Sequence, residues 1–89
     1  MDKLEQAKHD GEIDGAYAAR CSNALYEYDR DDNDETPAGD LINSLGRKWF
    51  DAEYGPDGEE AYNEAYIHAY DEQATINGEA ELKRYGVAT

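Results

Sequence analysis

Apolar residues in this chain recur mainly every three or four positions, with no strand signal above noise, and that period points to a fold of helices. Ala61, Ala65 and Ala69 lie four apart, with Tyr62, Tyr66 and Tyr70 beside them. Residues so spaced form adjacent rows on one helix surface. Leu41, Ile42, Leu45, Trp49 and Ala52 share a second face, the strongest core stripe in the chain. The expected architecture is all-α: a small bundle of three to four short helices in a single acidic domain over 1–89.

Charge sets the opposing constraint. There are 22 Asp and Glu against 8 Lys and Arg, a formal net charge of -14 on 89 residues. Mean hydropathy is -1.02, and high charge with low hydropathy is the composition of disordered chains. The aromatic content of 11% and the helical period oppose disorder, because they supply a core. That core is thin, since Ile, Leu, Val and Phe are few and Ala and Tyr must fill it. Repulsion among carboxylates weakens it further. Marginal stability that improves with salt is expected, or a homodimer that enlarges the core.

The same composition excludes whole classes of function. Direct nucleic-acid binding is excluded because phosphates would be repelled. A membrane span is excluded by the lack of an apolar run. The opening MDKLEQAKHD lacks the apolar stretch of a secretory leader. A lone Cys21 provides neither a disulfide framework nor a cysteine-built zinc site. A reducing cytoplasm is the expected location.

Along the chain, the first helical pattern covers about residues 2–28. Leu4, Ala7, Gly11, Ala18, Cys21, Leu25 and Tyr28 fall on one face, with Asp14 as a misfit. Gly11 and Gly15 each cost about 1 kcal/mol relative to Ala inside a helix. They predict a short N-terminal turn, a break near Asp10-Gly11, and a firmer helix from Glu12 to Tyr28; one long kinked helix is the competing form. Residues 29–36 read DRDDNDET, an acidic loop. Thr36 before Pro37 is a helix start, and the pattern continues to about Tyr54. Tyr54-Gly55-Pro56-Asp57-Gly58 is a turn. A further helix runs to about Gln73, and Thr75-Ile76-Asn77-Gly78 marks another break. Asn77 then caps a last short helix with Leu82 and Tyr85 inward and Lys83 and Arg84 in its final turn.

Several constellations bear on chemistry. Asp29, Asp31, Asn33, Glu35 and Asp40 occupy positions 1, 3, 5, 7 and 12 of a window that partly resembles an EF-hand calcium loop. The window has Asp34 where the sharp turn needs Gly, and Asp40 where a bidentate Glu belongs. Asn43-Ser44-Leu45 lies where acyl carrier proteins, also small, acidic and helical, carry their pantetheine serine. Asn43 replaces that family's Asp, and Ser44 falls inside the helix. Cys21 with His9 or His68 could form a dyad, but acidic surroundings disfavour a thiolate, and packing is the ordinary role of a cysteine on an apolar face. His68 stands between Glu64 and Glu72 at four-residue spacing, a setting for local charge balance or, less simply, a metal ion. Close carboxylate pairs are unavoidable among so many acids and identify no catalyst. An enzyme is not expected, and no cofactor is implied.

The charge exceeds the 2–8 or so that solubility requires of a small domain. An acidic helical surface can compete for a nucleic-acid channel, attracted by the same Lys and Arg and driven by the same counterion release. In size, charge, helicity and tyrosine content the chain resembles the acidic DNA-mimic proteins of bacteriophages and mobile elements, which inhibit restriction enzymes, CRISPR complexes and DNA-repair or nucleoid proteins. The resemblance implies an inhibitor of anti-CRISPR or anti-restriction type, acting in the host bacterial cytoplasm on a basic, nucleic-acid-binding partner. The candidate partner-binding residues are Asp29, Asp31, Asp32, Asp34 and Glu35 in the loop, and Glu53, Asp57, Glu59, Glu60 and Glu64 around the third helix. Tyr62, Tyr66 and Tyr70 are the candidate anchors. The alternatives are an acidic regulatory module, such as an antitoxin or a chaperone of a basic protein, and a calcium-binding protein.

Overall fold

A computed structural model of the chain describes residues 2–29 and 36–85. Among them the chain forms four helices: α1 (Lys3–Ser22), α2 (Pro37–Leu45), α3 (Arg47–Tyr54) and α4 (Gly58–Arg84). No strand is present among the described residues, so the all-α bundle expected from the apolar period is the observed class. Two of the helices are long rather than short, with 20 residues in α1 and 27 in α4.

The expected break at Asp10-Gly11 does not occur. Helix α1 begins at Asp2, whose carboxylate accepts the Glu5 amide at 2.8 Å, and runs unbroken to a left-handed Asn23. Its glycines serve contact instead of termination. Ala7, Gly11, Gly15 and Ala19, four apart, are the buried residues of α1. A Cβ on Gly11 would stand 2.6 Å from the Tyr62 carbonyl oxygen and 3.2 Å from the Ala65 Cβ. On Gly15 it would collide with the Tyr66 carbonyl. Ala7 lies beside Gly58 at ordinary contact distance, its Cβ 3.6 Å from where a Cβ on Gly58 would stand. Each step of four along α1 matches a step of four along α4 in the same direction, so the two helices are parallel and nearly in backbone contact. Small residues at this spacing let helix backbones approach and lock along their four-residue ridges.

Parallel neighbours cannot be joined by a tight turn, and the described residues 23–29 and 36–57 belong to the crossover. Thr36 caps α2 by accepting the Gly39 amide at 3.0 Å, with Pro37 in the first turn, as the sequence predicts. The Ala38 amide is taken by Asn63 of α4 at 2.7 Å, which fixes α2 on its partner. The predicted helix to Tyr54 is interrupted at Gly46, where φ of +99° ends α2 and starts α3. That break shifts the phase of the second half. Leu41 and Ile42 pack on the core, but Leu45 and Trp49 are exposed, and Phe50 and Tyr54 turn inward instead.

The core therefore consists of Ala7, Ala38, Phe50, Tyr54, Ala61 and Tyr62. Rings run through it in a chain: Trp49 on Tyr54, Phe50 on Tyr54 and Tyr62, Tyr62 on Tyr66, and Tyr28 edge-on to both Tyr66 and Tyr70. Edge-to-face pairs of this kind add about 0.5–1.5 kcal/mol each beyond burial.

Helix α4 passes through Thr75-Ile76-Asn77-Gly78 without a break. Asn77 caps nothing on its own helix. Its amide reaches across to the carbonyls of Ala19 at 3.3 Å and Ala24 at 2.9 Å. The molecule is a flat rod, 51 × 29 × 17 Å, with a radius of gyration of 14.9 Å, against about 12 Å for a compact domain of this length. No described helix is long and apolar enough to cross a membrane.

Candidate functional site

The start of α4 gathers four of the ten predicted acidic residues. Asp57, Glu59, Glu60 and Glu64, with Pro56, Asn63 and Ile67, line an open groove of about 440 Å³. Their spacing along one helix puts them on adjoining ridges. Asp57 occupies the N-cap position but makes no capping bond. Glu59 and Glu60 stand where the helix dipole favours negative charge. Arg47 of α3 reaches Glu59 at 3.0 Å and Asp51 at 3.8 Å. Both contacts are solvent-exposed and contribute little to stability. The hydrogen bond to Glu59 first, and the Asp51 carboxylate second, hold the Arg47 guanidinium above its ordinary range. Glu53 is exposed on α3, and Asp29 is exposed beyond α1. Asp31, Asp32, Asp34 and Glu35 lie outside the described residues, as does the centre of the calcium-like window.

The three predicted tyrosine anchors are not on this surface. Tyr62 is 2% exposed and belongs to the core. Tyr66 and Tyr70 are half-buried against Tyr28. The physical reason is the crossover, whose α2 and Tyr28 cover the side of α4 that these rings occupy. The Tyr62 hydroxyl donates to Asp14 and the Tyr54 hydroxyl to Asp10 at 2.8 Å. Asp14, the misfit of the α1 pattern, is thus a hydrogen-bond acceptor for the neighbouring helix. Burial first, and these carboxylates second, push both phenols far above their ordinary value.

The tyrosines that do face solvent are Tyr17, Tyr26 and Tyr85. They are absent from the predicted site. The available signal was the small row of α1: once Ala7, Gly11, Gly15 and Ala19 face α4, Tyr17 must fall on the outer side. Cys21 is exposed rather than packed. Its contact with Tyr17, one turn back, raises the Tyr17 phenol.

A second groove, of about 340 Å³, runs between α1 and α4 and is lined by Lys8, Glu12, Ala61, Glu64, Ala65 and His68. His68 lies 3.6 Å from Glu72, both largely exposed. Among the described residues no three His, Cys, Asp or Glu side chains come together as a metal-binding group.

Fold and surface together define a small acidic helical protein built on a parallel helix pair. No protein-family model, curated protein or solved structure matches it.

Proposed function

We propose that this protein is a nucleic-acid mimic, an acidic inhibitor that occupies the DNA- or RNA-binding site of a bacterial defence or DNA-processing complex. The observation that supports the reading is the gathering of Asp57, Glu59, Glu60 and Glu64 on one open groove, with Arg47 on Glu59 as a neighbouring cation. The density of charge agrees with it. A net -14 over a long axis of 51 Å is one negative charge per about 3.6 Å, close to the 3.4 Å or so of a single DNA strand. Lys and Arg side chains that line a nucleic-acid channel would meet a net charge per unit length near that of a DNA strand. Pro56 and Ile67 beside them give the aliphatic stems of those side chains an apolar rest. The protein acts by occupancy, one copy of the site per target, and performs no reaction.

The test is a tagged pull-down from nuclease-treated bacterial lysate, eluted with a salt gradient and read by mass spectrometry. The expected result is a nucleic-acid-binding complex that elutes at high salt and is displaced by added DNA or RNA. Neutralising the groove (Asp57→Asn, Glu59→Gln, Glu60→Gln and Glu64→Gln together) then weakens binding and flattens its salt dependence. A retained partner that ignores nucleic acid overturns the mimic reading and leaves an acidic regulatory module, an antitoxin or chaperone of a basic protein.

A further inference from the structure

We infer that Tyr26 is a phosphorylation site, the acceptor for a tyrosine kinase that takes acidic substrates, and that the added phosphate loosens the start of the crossover from α4. The inference does not rest on the proposed target and is read on the purified protein.

Three observations single out this residue among the eight tyrosines. The first is access. A kinase draws the phenol into its own cleft, so the ring has to stand clear of the fold. Tyr26 is 84% exposed, the highest value among the exposed large hydrophobic side chains described. Tyr54 and Tyr62 are buried, and their hydroxyls already donate to Asp10 and Asp14. Tyr28, Tyr66 and Tyr70 are half-buried against one another.

The second is backbone. Tyr17 is 63% exposed, but it lies inside α1. Its helical bonds would have to break before its neighbours could lie along a substrate groove. Tyr26 stands at a bend outside any helix, between two tethers. On one side the Ala24 amide donates to the Ala19 carbonyl, and the Ala24 carbonyl accepts from Asn77, each at 2.9 Å. On the other the Tyr28 amide donates to Asp71 at 2.7 Å. Leu25, Tyr26 and Glu27 bridge the tethers, and all three are exposed. They can be reshaped by an enzyme without loss of any helical turn.

The third is charge. Residues 21–29 include Glu27 and Asp29 and no Lys or Arg. A segment of that sign is complementary to a basic substrate groove. Tyr85 is 68% exposed, but it directly follows Lys83 and Arg84, which the same groove repels.

In the transfer, the Tyr26 phenolic oxygen attacks the γ-phosphorus of a nucleoside triphosphate. A bond forms between them, and the bond from that phosphorus to the β–γ bridging oxygen breaks. The nucleoside diphosphate leaves, and the phenolic proton passes to the catalytic carboxylate of the kinase. The product carries about -1.5 to -2 of added charge at pH 7. That charge arrives next to Glu27 and two residues from Tyr28, whose amide the Asp71 carboxylate holds. A phosphate placed beside carboxylates repels them and works against the local structure. The tether at Tyr28 is therefore the contact it weakens, while the backbone contact of Gly11 and Gly15 with α4 lies elsewhere along α1.

The experiment incubates the full chain with magnesium-ATP and a tyrosine kinase that prefers acidic substrates, followed by intact mass and peptide mapping. The expected product carries one phosphoryl group, on Tyr26. Tyr26→Phe lowers the initial rate at least tenfold, whereas Tyr17→Phe and Tyr85→Phe leave it unchanged. The Tyr26 ring is exposed, so Tyr26→Phe keeps the helical circular dichroism. In the phosphorylated chain the Tyr28 amide exchanges with solvent at least tenfold faster, and the amides of Gly11 and Gly15 exchange as before. A chain that the kinase leaves unmodified overturns the inference, and so does incorporation that survives Tyr26→Phe. Unchanged exchange at Tyr28 overturns the loosening.

Discussion

Gly15 packs its bare Cα against the backbone of Tyr66, and any Cβ there would collide with the Tyr66 carbonyl. Backbone atoms have no rotamer to yield. Gly15→Ala is therefore expected to lose about 1–3 kcal/mol through overpacking, although Ala is the better helix former by about 1 kcal/mol. Gly78 is the internal control, with nothing within 4 Å of the same position. Gly78→Ala is expected to gain up to about 1 kcal/mol. Urea unfolding followed by circular dichroism reads both, and equal shifts in one direction would show that the helices are not in backbone contact. Tyr54 and Tyr62 make a second prediction at this scale. Both phenols are raised well above the ordinary value of 10.0 in the fold. Below pH 10 the folded and unfolded chains hold the same phenolic protons, and stability is independent of these groups. Above it the unfolded chain gives them up and the folded chain keeps them, so stability falls as pH rises. Each tyrosine contributes a slope of about 1.4 kcal/mol per pH unit. Tyr62→Phe removes one share of that slope, which a denaturation series from pH 8 to 11 measures.

Helix α4 holds α1 by its side chains as well as by its backbone. Asn77 donates to the carbonyl of Ala24, beyond the end of α1, and to that of Ala19, which also accepts the Ala24 amide at 2.9 Å, so one side chain ties the C-terminal end of α1 to α4. Asn77→Ala is expected to cost about 1–2 kcal/mol. Hydrogen exchange should place the loss in the last turn of α1 and in residues 23–25; a uniform loss along α4 would point to helix propensity instead. The same residue shows what the sequence revealed and what it hid. Period and capping chemistry made the helical class, the Thr36-Pro37 start and the turn after Tyr54 legible, because each depends on neighbours in sequence. Asn77-Gly78 carries the local signature of a helix end, and only the carbonyls of α1 explain its place inside one. Gly11 and Gly15 mislead for the same reason: a glycine that permits contact looks like one that permits a turn. At Gly46 the error runs the other way, since a single positive φ re-phased a stripe that seemed continuous. The candidate site divides likewise. Asp57, Glu59, Glu60 and Glu64 meet because one helix carries them all. Tyr62, Tyr66 and Tyr70 form as good a row, but which side the crossover covers is a tertiary fact.

At the scale of the whole molecule, charge and fold oppose each other. The described ion pairs, Arg47 with Asp51 and Glu59 and His68 with Glu72, are exposed and offset little of the net -14. The repulsion is long-ranged. At 0.01 M salt the screening length is about 30 Å, as wide as the 29 Å middle dimension of the molecule, so carboxylates on opposite edges act on each other. At 1 M it is about 3 Å, and only groups in contact still interact. Little attraction is lost over that range, because the pairs that salt would weaken are few among the described residues. The expected result is a melting temperature that climbs steadily with NaCl. A gain of about 1–2 kcal/mol would appear as roughly 5–15 °C in a domain of this size. Repeating the series at two protein concentrations separates screening within one chain from association between chains, since only the second depends on concentration. A melting temperature that stays flat or falls with salt would mean that the carboxylates are held in compensating pairs, and the excess charge would then not be presented outward to a basic partner.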